Sequence, residues 1–246
     1  MPLYIVFTIG IHENLFYNKS LSHIVERDRT LTRKGEEHSW MRPMTIIYLI
    51  RHAQPDFAVH NDMERPLTEV GLESCNKVIS YLLDKQITEV LSSPYKRALD
   101  TVQGFADLCG QVVLPVYDLR ERAVDTDWIE DFSEFVSKQW ENFDYKLEGG
   151  ESLNQVQTRC IRALEAIVSQ HQNKNIVIGS HGTAISTIIN YYDKDYGLDH
   201  FNRIRGIMPF VAKLVFEDKG CSSIEIIDIM GNEERKLYER ASESSE

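Results

Sequence analysis

The chain has 246 residues, of which 42% are hydrophobic and 26% are charged, so it can form the core of one domain of ordinary size. This composition excludes a chain that is disordered throughout. The formal net charge is -11, from 27 lysines and arginines against 38 aspartates and glutamates. It argues against nucleic acid or an anionic membrane as the main partner, because both require a basic surface.

Neither the cysteines nor the apolar segments indicate export or membrane insertion. The four cysteines are scattered and never spaced as C-x-x-C, which is typical of reduced thiols in a cytoplasmic protein. The apolar segment at residues 3–11 has no basic residue before it and no small-residue cleavage site after it. No segment is long enough to span a bilayer.

Residues 1–43 differ in composition from the rest and are predicted to be an N-terminal extension. From residue 14 to residue 40 they are polar and charged with poor periodicity. One hypothesis is that the extension is loosely packed, and the other is that translation begins at Met41 or Met44. We favour the second, since a domain that begins with its central strand needs nothing in front of it.

An apolar run over residues 46–50 is followed at once by Arg51 and His52. A run without helical spacing is typical of a strand buried on both faces at the centre of a parallel sheet. Ligands bind outside the carboxyl ends of such strands, so we expect Arg51 and His52 to reach that edge. On this segment alone, a structural histidine is an equally good interpretation.

Residues 92–98 connect a second predicted strand to a helix. Ser93 is predicted as the N-cap and Pro94 as the first helical residue, which places Arg97 in the first turn, at the same sheet edge as His52. A helix N-terminus and an arginine fork both suit a phosphate group. The alternative is a solvated surface arginine, as most arginines are.

Amphipathic helices are predicted between the strands. One has Thr68 as its N-cap, and another begins with a capping box formed by Ser152 and Gln155. The residues predicted to line the inner face of the first helix are Leu72, Cys75, Ile79 and Leu82.

A second buried strand, residues 175–180, ends in His181. Gly182 follows and permits a close backbone turn before another helix. Two central strands therefore each bring a histidine to the same edge of the predicted sheet.

The remaining elements complete an α/β fold over residues 44–230. Residues 211–216 and 223–229 alternate in the manner of an antiparallel pair, and the polar residues 231–246 are predicted to be a frayed tail. We predict a three-layer α/β/α sandwich whose central sheet is mostly parallel with an antiparallel edge.

Residues 125–148 are acidic and aromatic and are predicted to form a helical lid. For most of the aromatic residues Phe132, Phe135 and Trp140, the favoured interpretation is instead the core face of a helix. Between residues 125 and 145, Lys138 is the only lysine or arginine. The acidic residues expected at the rim of the site are Asp125, Asp127, Glu130, Asp131 and Glu134.

The chemistry-bearing residues that fall at strand ends are His52, His181, Arg51, Arg97 and Glu121. A metal site formed by the histidines and Glu121 is possible, but two arginines in the same pocket would repel a cation. The arginines suit a phosphoryl group instead. No glycine-rich phosphate loop or dinucleotide fingerprint occurs, which disfavours nucleotide-dependent phosphoryl transfer and dinucleotide redox chemistry.

Four segments resemble, in order, the motifs of the histidine phosphatase superfamily, which has the phosphoglycerate-mutase-like fold. They are Leu-Ile-Arg-His-Ala at 49–53, Ser-Ser-Pro-Tyr-Lys-Arg-Ala at 92–98, Gly-Gly-Glu-Ser at 149–152 and Ser-His-Gly at 180–182. Residues 54–56, Gln-Pro-Asp, lack the Glu-Ser pattern typical of phosphoglycerate mutases.

The resemblance implies that His52 is the nucleophile and that Glu121, in Leu119-Arg120-Glu121, is the proton donor. It implies a phosphate pocket formed by Arg51, Arg97, His181 and Gly182, with His181 protonated and also catalytic.

The activity implied is that of a histidine acid-type phosphatase, a hydrolase of small phosphorylated metabolites that needs no metal or cofactor. Two alternatives remain open, a phosphoglycerate-mutase-type phosphoryl transfer and a non-catalytic phosphate-binding regulatory module. Arg120 or Arg122 could turn inward to bind a carboxylate, as a mutase would require.

Overall fold

The computed structural model describes residues 43–125, 129–231 and 233–239. All of them belong to one compact unit. The predicted N-terminal extension lies outside the described residues, apart from Pro43.

Seven strands of the described chain form one mixed sheet: β1 (Thr45–Arg51), β2 (Ile87–Ser92), β3 (Val113–Pro115), β4 (Asn175–Ser180), β5 (Val211–Glu217), β6 (Gly220–Asp228) and β7 (Glu233–Glu239). Their order across the sheet is β3-β2-β4-β1-β5-β6-β7. The pairs β3-β2, β2-β4 and β4-β1 are parallel, and the pairs from β1 to β7 are antiparallel. The predicted mixed sheet with a parallel part and an antiparallel edge is therefore confirmed, and the antiparallel part contributes half of the strand pairs.

The strand β1 is the central strand, as predicted from its apolar run. It pairs with β4 on one side and with β5 on the other. Its side chains alternate between two cores, with Ile47 and Leu49 in one cluster and Tyr48 and Ile50 in the other. Because successive side chains of a strand point to opposite faces, this strand had to be apolar throughout.

Six helices of the described chain cover the two faces: α1 (Glu69–Leu82), α2 (Lys96–Leu108), α3 (Phe132–Glu141), α4 (Leu153–Gln170), α5 (Gly182–Tyr192) and α6 (Leu198–Ile204). Helices α1 and α2 pack in the cluster that contains Tyr48, and the other four contribute to the cluster that contains Ile47. These three layers confirm the predicted sandwich. None of the described helices combines the length and hydropathy that a membrane crossing needs.

The predicted helix caps are present. The Thr68 hydroxyl oxygen accepts a hydrogen bond from the Gly71 amide at 3.0 Å at the start of α1. At the start of α4, Ser152 and Gln155 each accept from the other's amide, which completes the capping box. These side chains satisfy amides that have no partner inside the helix.

The inner face of α1 was predicted wrongly at its first position. Leu72 is 55% exposed, whereas Val78 is fully buried. The inner stripe begins one residue earlier, at Gly71, where an added Cβ would lie 2.3 Å from the Gln54 carbonyl oxygen. Only glycine permits this approach, and a count of apolar residues does not detect it.

The prediction of a frayed tail is also wrong over Glu233–Glu239, which form β7 beside β6. Residues 233–239 form a strand because they pair with the free edge of β6. The composition of the tail alone does not reveal this pairing. Residues 240–246 of the predicted tail lie outside the described residues.

The predicted lid contains one helix, α3, whose inner face joins the main core. Trp140 packs on Phe201 of α6 with ring centroids 5.6 Å apart. Phe135 is buried as predicted for a core face, whereas Phe132 is exposed because it lies at the first position of the helix. Residues 126–128 of the predicted lid lie outside the described residues, and its role as a lid stays a prediction.

Candidate active site

The carboxyl ends of β1 and β4 lie side by side and bring the two predicted histidines together. Arg51 pairs with Ser180 in the sheet register, and the His52 amide donates to the Ser180 carbonyl at 3.0 Å. The buried imidazoles of His52 and His181 have centroids 5.2 Å apart at an interplanar angle of 63°. Both imidazoles therefore lie at the carboxyl edge of the sheet, where the sequence placed them.

The His52 ring is held in one tautomer. Its Nδ1 lies 2.7 Å from the carbonyl oxygen of Ala53, and a carbonyl only accepts, so Nδ1 carries the proton. Burial, followed by the charges of Arg97 and Arg51, lowers the pKa of His52 well below its usual value. The Nε2 atom therefore keeps a free lone pair at neutral pH.

The surroundings of the His181 ring disfavour the protonated form that the resemblance implies. Its Nε2 lies 2.8 Å from the Ser93 hydroxyl, and its buried Nδ1 has no partner among the described residues. Burial, then the charges of Arg97 and His52, lower the pKa of His181 well below the usual value. The sequence shows the residue type but not this depth of burial.

The role predicted for Ser93 is wrong, since α2 begins at Lys96 with Tyr95 as its N-cap. The Ser93 hydroxyl instead accepts from the Tyr95 amide at 3.2 Å and faces the His181 ring. Pro94 is accordingly not the first helical residue. The prediction still places Arg97 correctly in the first turn of α2.

Arg51 is anchored by carbonyl groups around the end of α6. Its Nη1 donates to the carbonyl oxygens of Ile204, Arg205 and Ile207 at 2.9, 2.8 and 2.9 Å. Its buried Nε has no partner among the described residues. Burial lowers the pKa of Arg51 to about 10, so it stays charged at pH 7. A Cβ on Gly182 would lie 3.2 Å from that Nε, closer than an ordinary van der Waals contact.

Arg97 is buried and held by a residue that the sequence did not reveal. Its Nη1 donates to the Asp62 backbone oxygen and lies 3.1 Å from the Asp62 carboxylate, which also binds Arg65 at 2.9 Å. The Arg97 guanidinium lies 5.0 Å from the Tyr95 ring centroid, and Tyr95 packs edge-on against His181 at 5.2 Å. The sequence did not indicate a role for Asp62 or Tyr95, because their contacts with Arg97 depend on how the loop that contains Asp62 folds back over α2.

Glu121 joins the site through the start of α5. Its Oε1 accepts from the Arg122 amide at 2.8 Å and its Oε2 from the Thr183 amide at 3.1 Å. These two amides fix the orientation of the Glu121 side chain. The charge of Glu121 also opposes the effect of burial on the pKa of Arg51. All the residues predicted for the site thus lie at one sheet edge.

A family model, the histidine phosphatase superfamily (branch 1), matches residues 47–228. The chain belongs to this superfamily. The match contains every residue named above for the site and confirms the resemblance inferred from the four motifs.

Known histidine phosphatases and mutase-like proteins are both similar to the chain. The metal-independent phosphoserine phosphatase of Arabidopsis thaliana is 31% identical over 163 residues, 59% of this chain and 67% of that protein. Phosphoglycerate mutase-like protein 4 of the same plant is 29% identical over 157 residues, 58% and 68% of the two chains. The phosphoserine phosphatase of Entamoeba histolytica, crystallised as a mutant with phosphoserine, superposes with a TM-score of 0.60 at 21% identity, covering 72% and 93%.

Two further arginines, both next to Glu121, are held by the protein itself. Arg120 donates to the Glu151 carboxylate at 2.9 Å. The buried Arg122 donates to the Gln139 side chain at 2.7 Å and lies over two aromatic rings of α3. Both guanidinium groups are engaged by other protein groups, which does not favour the alternative, left open by the sequence, that one of them binds a substrate carboxylate.

The metal alternative has no geometric support in the described part of the chain. No group of three or more histidine, cysteine, aspartate or glutamate side chains is placed there to hold an ion. The two histidines have other roles, since Nδ1 of His52 and Nε2 of His181 are engaged by Ala53 and Ser93.

Proposed function

We propose that the protein is a metal-independent phosphatase that hydrolyses small phosphate monoesters through a phosphohistidine on His52. The observation that carries the proposal is the tautomer of His52, which leaves Nε2 unprotonated near the buried Arg51 and Arg97. A neutral imidazole nitrogen is a nucleophile, and arginine forks match the oxygens of a phosphoryl group.

In the first step the His52 Nε2 lone pair attacks phosphorus, and the bond from phosphorus to the ester oxygen breaks. Glu121 gives its proton to the leaving alkoxide, while Arg51 and Arg97 neutralise the phosphoryl oxygens. In the second step water attacks the phosphohistidine, transfers a proton to the Glu121 carboxylate and releases phosphate as the phosphorus–nitrogen bond breaks. The two steps balance without a metal or cofactor.

His181 contributes as a neutral donor in this mechanism. In this proposal the Ser93 hydroxyl, whose oxygen accepts from the Tyr95 amide, donates its own proton to His181 Nε2. The proton of His181 then resides on Nδ1, which has no partner among the described residues. An N–H group in that state donates to a phosphoryl oxygen without first taking up a proton.

The charges around the site favour a phosphatase over a mutase. A mutase must hold a second anionic group of its substrate, which calls for further basic residues near the site. The two arginines next to Glu121 are held by other protein groups, and Asp62 adds a negative charge beside Arg97. We propose that the leaving group is neutral or weakly charged, because the acidic surroundings repel highly anionic substrates.

The proposal predicts net phosphate release from an aryl phosphate and little interconversion of 3- and 2-phosphoglycerate. Both reactions are to be measured on the full chain, with and without a chelator. We expect the chelator to leave the rate unchanged. Mutase turnover faster than phosphate release, or chelator-sensitive activity restored by a divalent metal, would contradict the proposal.

The lowered pKa of His52 predicts an acid-tolerant reaction. Because the nucleophile must be neutral, and burial beside Arg97 lowers its proton affinity, we expect the acid limb of kcat/KM to lie below pH 6.5. The pH profile with an aryl phosphate and an NMR titration of the His52 ring test this. An apparent pKa of 6.5 or higher for His52 in both measurements would refute the assignment.

We also propose that the phosphatase works in the cytoplasm on a small phosphorylated metabolite. Cys75, Cys109 and Cys160 are thiols that form no disulfide, and two of them are buried. Thiols persist in reducing compartments, which supports this location.

A further inference from the structure

A buried ion pair lies directly behind the segment that carries Glu121. Arg159 of α4 donates to both carboxylate oxygens of Glu151, from Nε at 2.8 Å and from Nη2 at 2.9 Å. The two side chains are 8% and 17% exposed. Such a two-point pair has a fixed geometry, unlike an ion pair at the surface.

The same arginine holds the backbone leading to Glu121. Its Nη1 donates to the carbonyl oxygens of Asp118 and Arg120 at 2.7 and 2.8 Å, and its Nη2 donates to that of Glu121 at 3.1 Å. No strand or helix contains residues 120–125. The guanidinium therefore supplies hydrogen bonds that a sheet ladder would otherwise provide.

Glu151 holds the other side of the same segment. One carboxylate oxygen accepts from the Arg120 side chain at 2.9 Å, and the other accepts from the Ala123 amide at 3.0 Å. Gly150, the residue before Glu151, lies against the same segment. A Cβ added to Gly150 would be 2.1 Å from the Val124 carbonyl oxygen. The Gly-Gly-Glu-Ser motif thus contacts the chain on the carboxyl side of Glu121.

We propose that Arg159 and Glu151 are positioning residues that fix the proton-donating carboxylate of Glu121. This inference rests on the role proposed above for Glu121. Neither residue has a described hydrogen bond to His52 or Arg97, so their effect is transmitted through the backbone. A displacement of about 1 Å at a reacting group costs up to ~10²-fold in rate, which sets the scale of the expected effect.

The test compares two substrates whose leaving groups differ in their need for a proton. An alkyl phosphate leaves as an alkoxide and needs the Glu121 proton, whereas 2,4-dinitrophenyl phosphate leaves as a stable phenolate without one. We expect Arg159→Met to lower kcat/KM for an alkyl phosphate by about 10- to 100-fold and to change kcat/KM for the dinitrophenyl ester by no more than a few-fold. Arg159→Lys, which keeps the charge but not the fork, should show the same selectivity.

Arg162→Met is the matched control, because Arg162 lies on the same helix and is 73% exposed in a surface pair with Asp118. It should leave both rates unchanged. Glu121→Gln should reproduce the selective loss, and adding Arg159→Met to it should lower the alkyl rate no further, since both changes remove the same function.

The outcomes separate the two proposals. Equal losses for both esters in Arg159→Met and Arg159→Lys, or additive losses in the double variant, would overturn the positioning role while Glu121→Gln stays selective. If Glu121→Gln itself shows no selectivity, the proposed role of Glu121 fails, and this inference fails with it. Should Arg159→Met not fold, as judged by thermal unfolding, Arg159→Lys and Glu151→Gln provide the same comparison.

Discussion

Replacing His52 by alanine is expected to abolish turnover while the chain still folds. The imidazole makes one described hydrogen bond, to the neighbouring carbonyl of Ala53, so its loss breaks no network. The variant loses the only proposed nucleophile, and losses on the order of 10⁴ to 10⁶ follow when a nucleophile is removed. The steady-state rate with an aryl phosphate measures this loss.

A trapping experiment identifies the intermediate directly. Labelled substrate is mixed with the full chain and quenched in alkaline denaturant, and the label is expected on the peptide that contains His52. The control is His171→Asn, because His171 lies at the other end of the sheet, near Glu89. Label on a serine, or a labelled His52→Ala protein, would mean that the mechanism is wrong.

Replacing Arg97 by alanine is expected to lower kcat/KM by about 10² to 10³, the scale of losing one charge-stabilising group. Arg97→Lys should recover only part of this loss, because an ammonium cannot reproduce the two-point fork. The exposed Arg203 of α6 provides the control, and Arg203→Ala should keep the wild-type rate. Phosphate release with an aryl phosphate reports all three variants.

The neighbouring Asp62 sharpens the prediction for Arg97. Its carboxylate lies 3.1 Å from the guanidinium, so Arg97→Ala leaves a negative charge where a phosphoryl group should bind. We therefore expect Asp62→Asn to restore part of the rate in the Arg97→Ala background. An Arg97→Ala variant within a few-fold of wild type would remove Arg97 from the phosphate site.

Much of the fold follows from local patterns in the chain. The apolar runs that became β1 and β4 could be recognised because a strand buried on both faces must be apolar at every position. The caps at Thr68 and Ser152 could be recognised because a helix start needs side-chain acceptors for its free amides. Arg51, His52, Arg97 and His181 followed from their places after strands that share one sheet edge.

Other features depended on groups that are distant in the chain. Leu72 was misplaced because the close approach of Gln54 selects a glycine as the first inner position of α1. The edge strand β7 was missed because it requires the free edge of β6. Ser93 was predicted as a helix cap. Its contact with His181 could not be predicted from neighbouring residues, because the two are 88 positions apart in the chain.

The sequence by itself determined the layered α/β architecture, the superfamily and the set of residues at the carboxyl edge of the sheet. These depend on periodicity, caps and short motifs, all of which are local. Only the tertiary structure decided the burial of the His52 and His181 rings, the partners of Arg97 and Arg120, and the ion pair behind Glu121. Each of these depends on burial and on distances between distant segments, because electrostatic and hydrogen-bond energies are set by surroundings that no local pattern encodes.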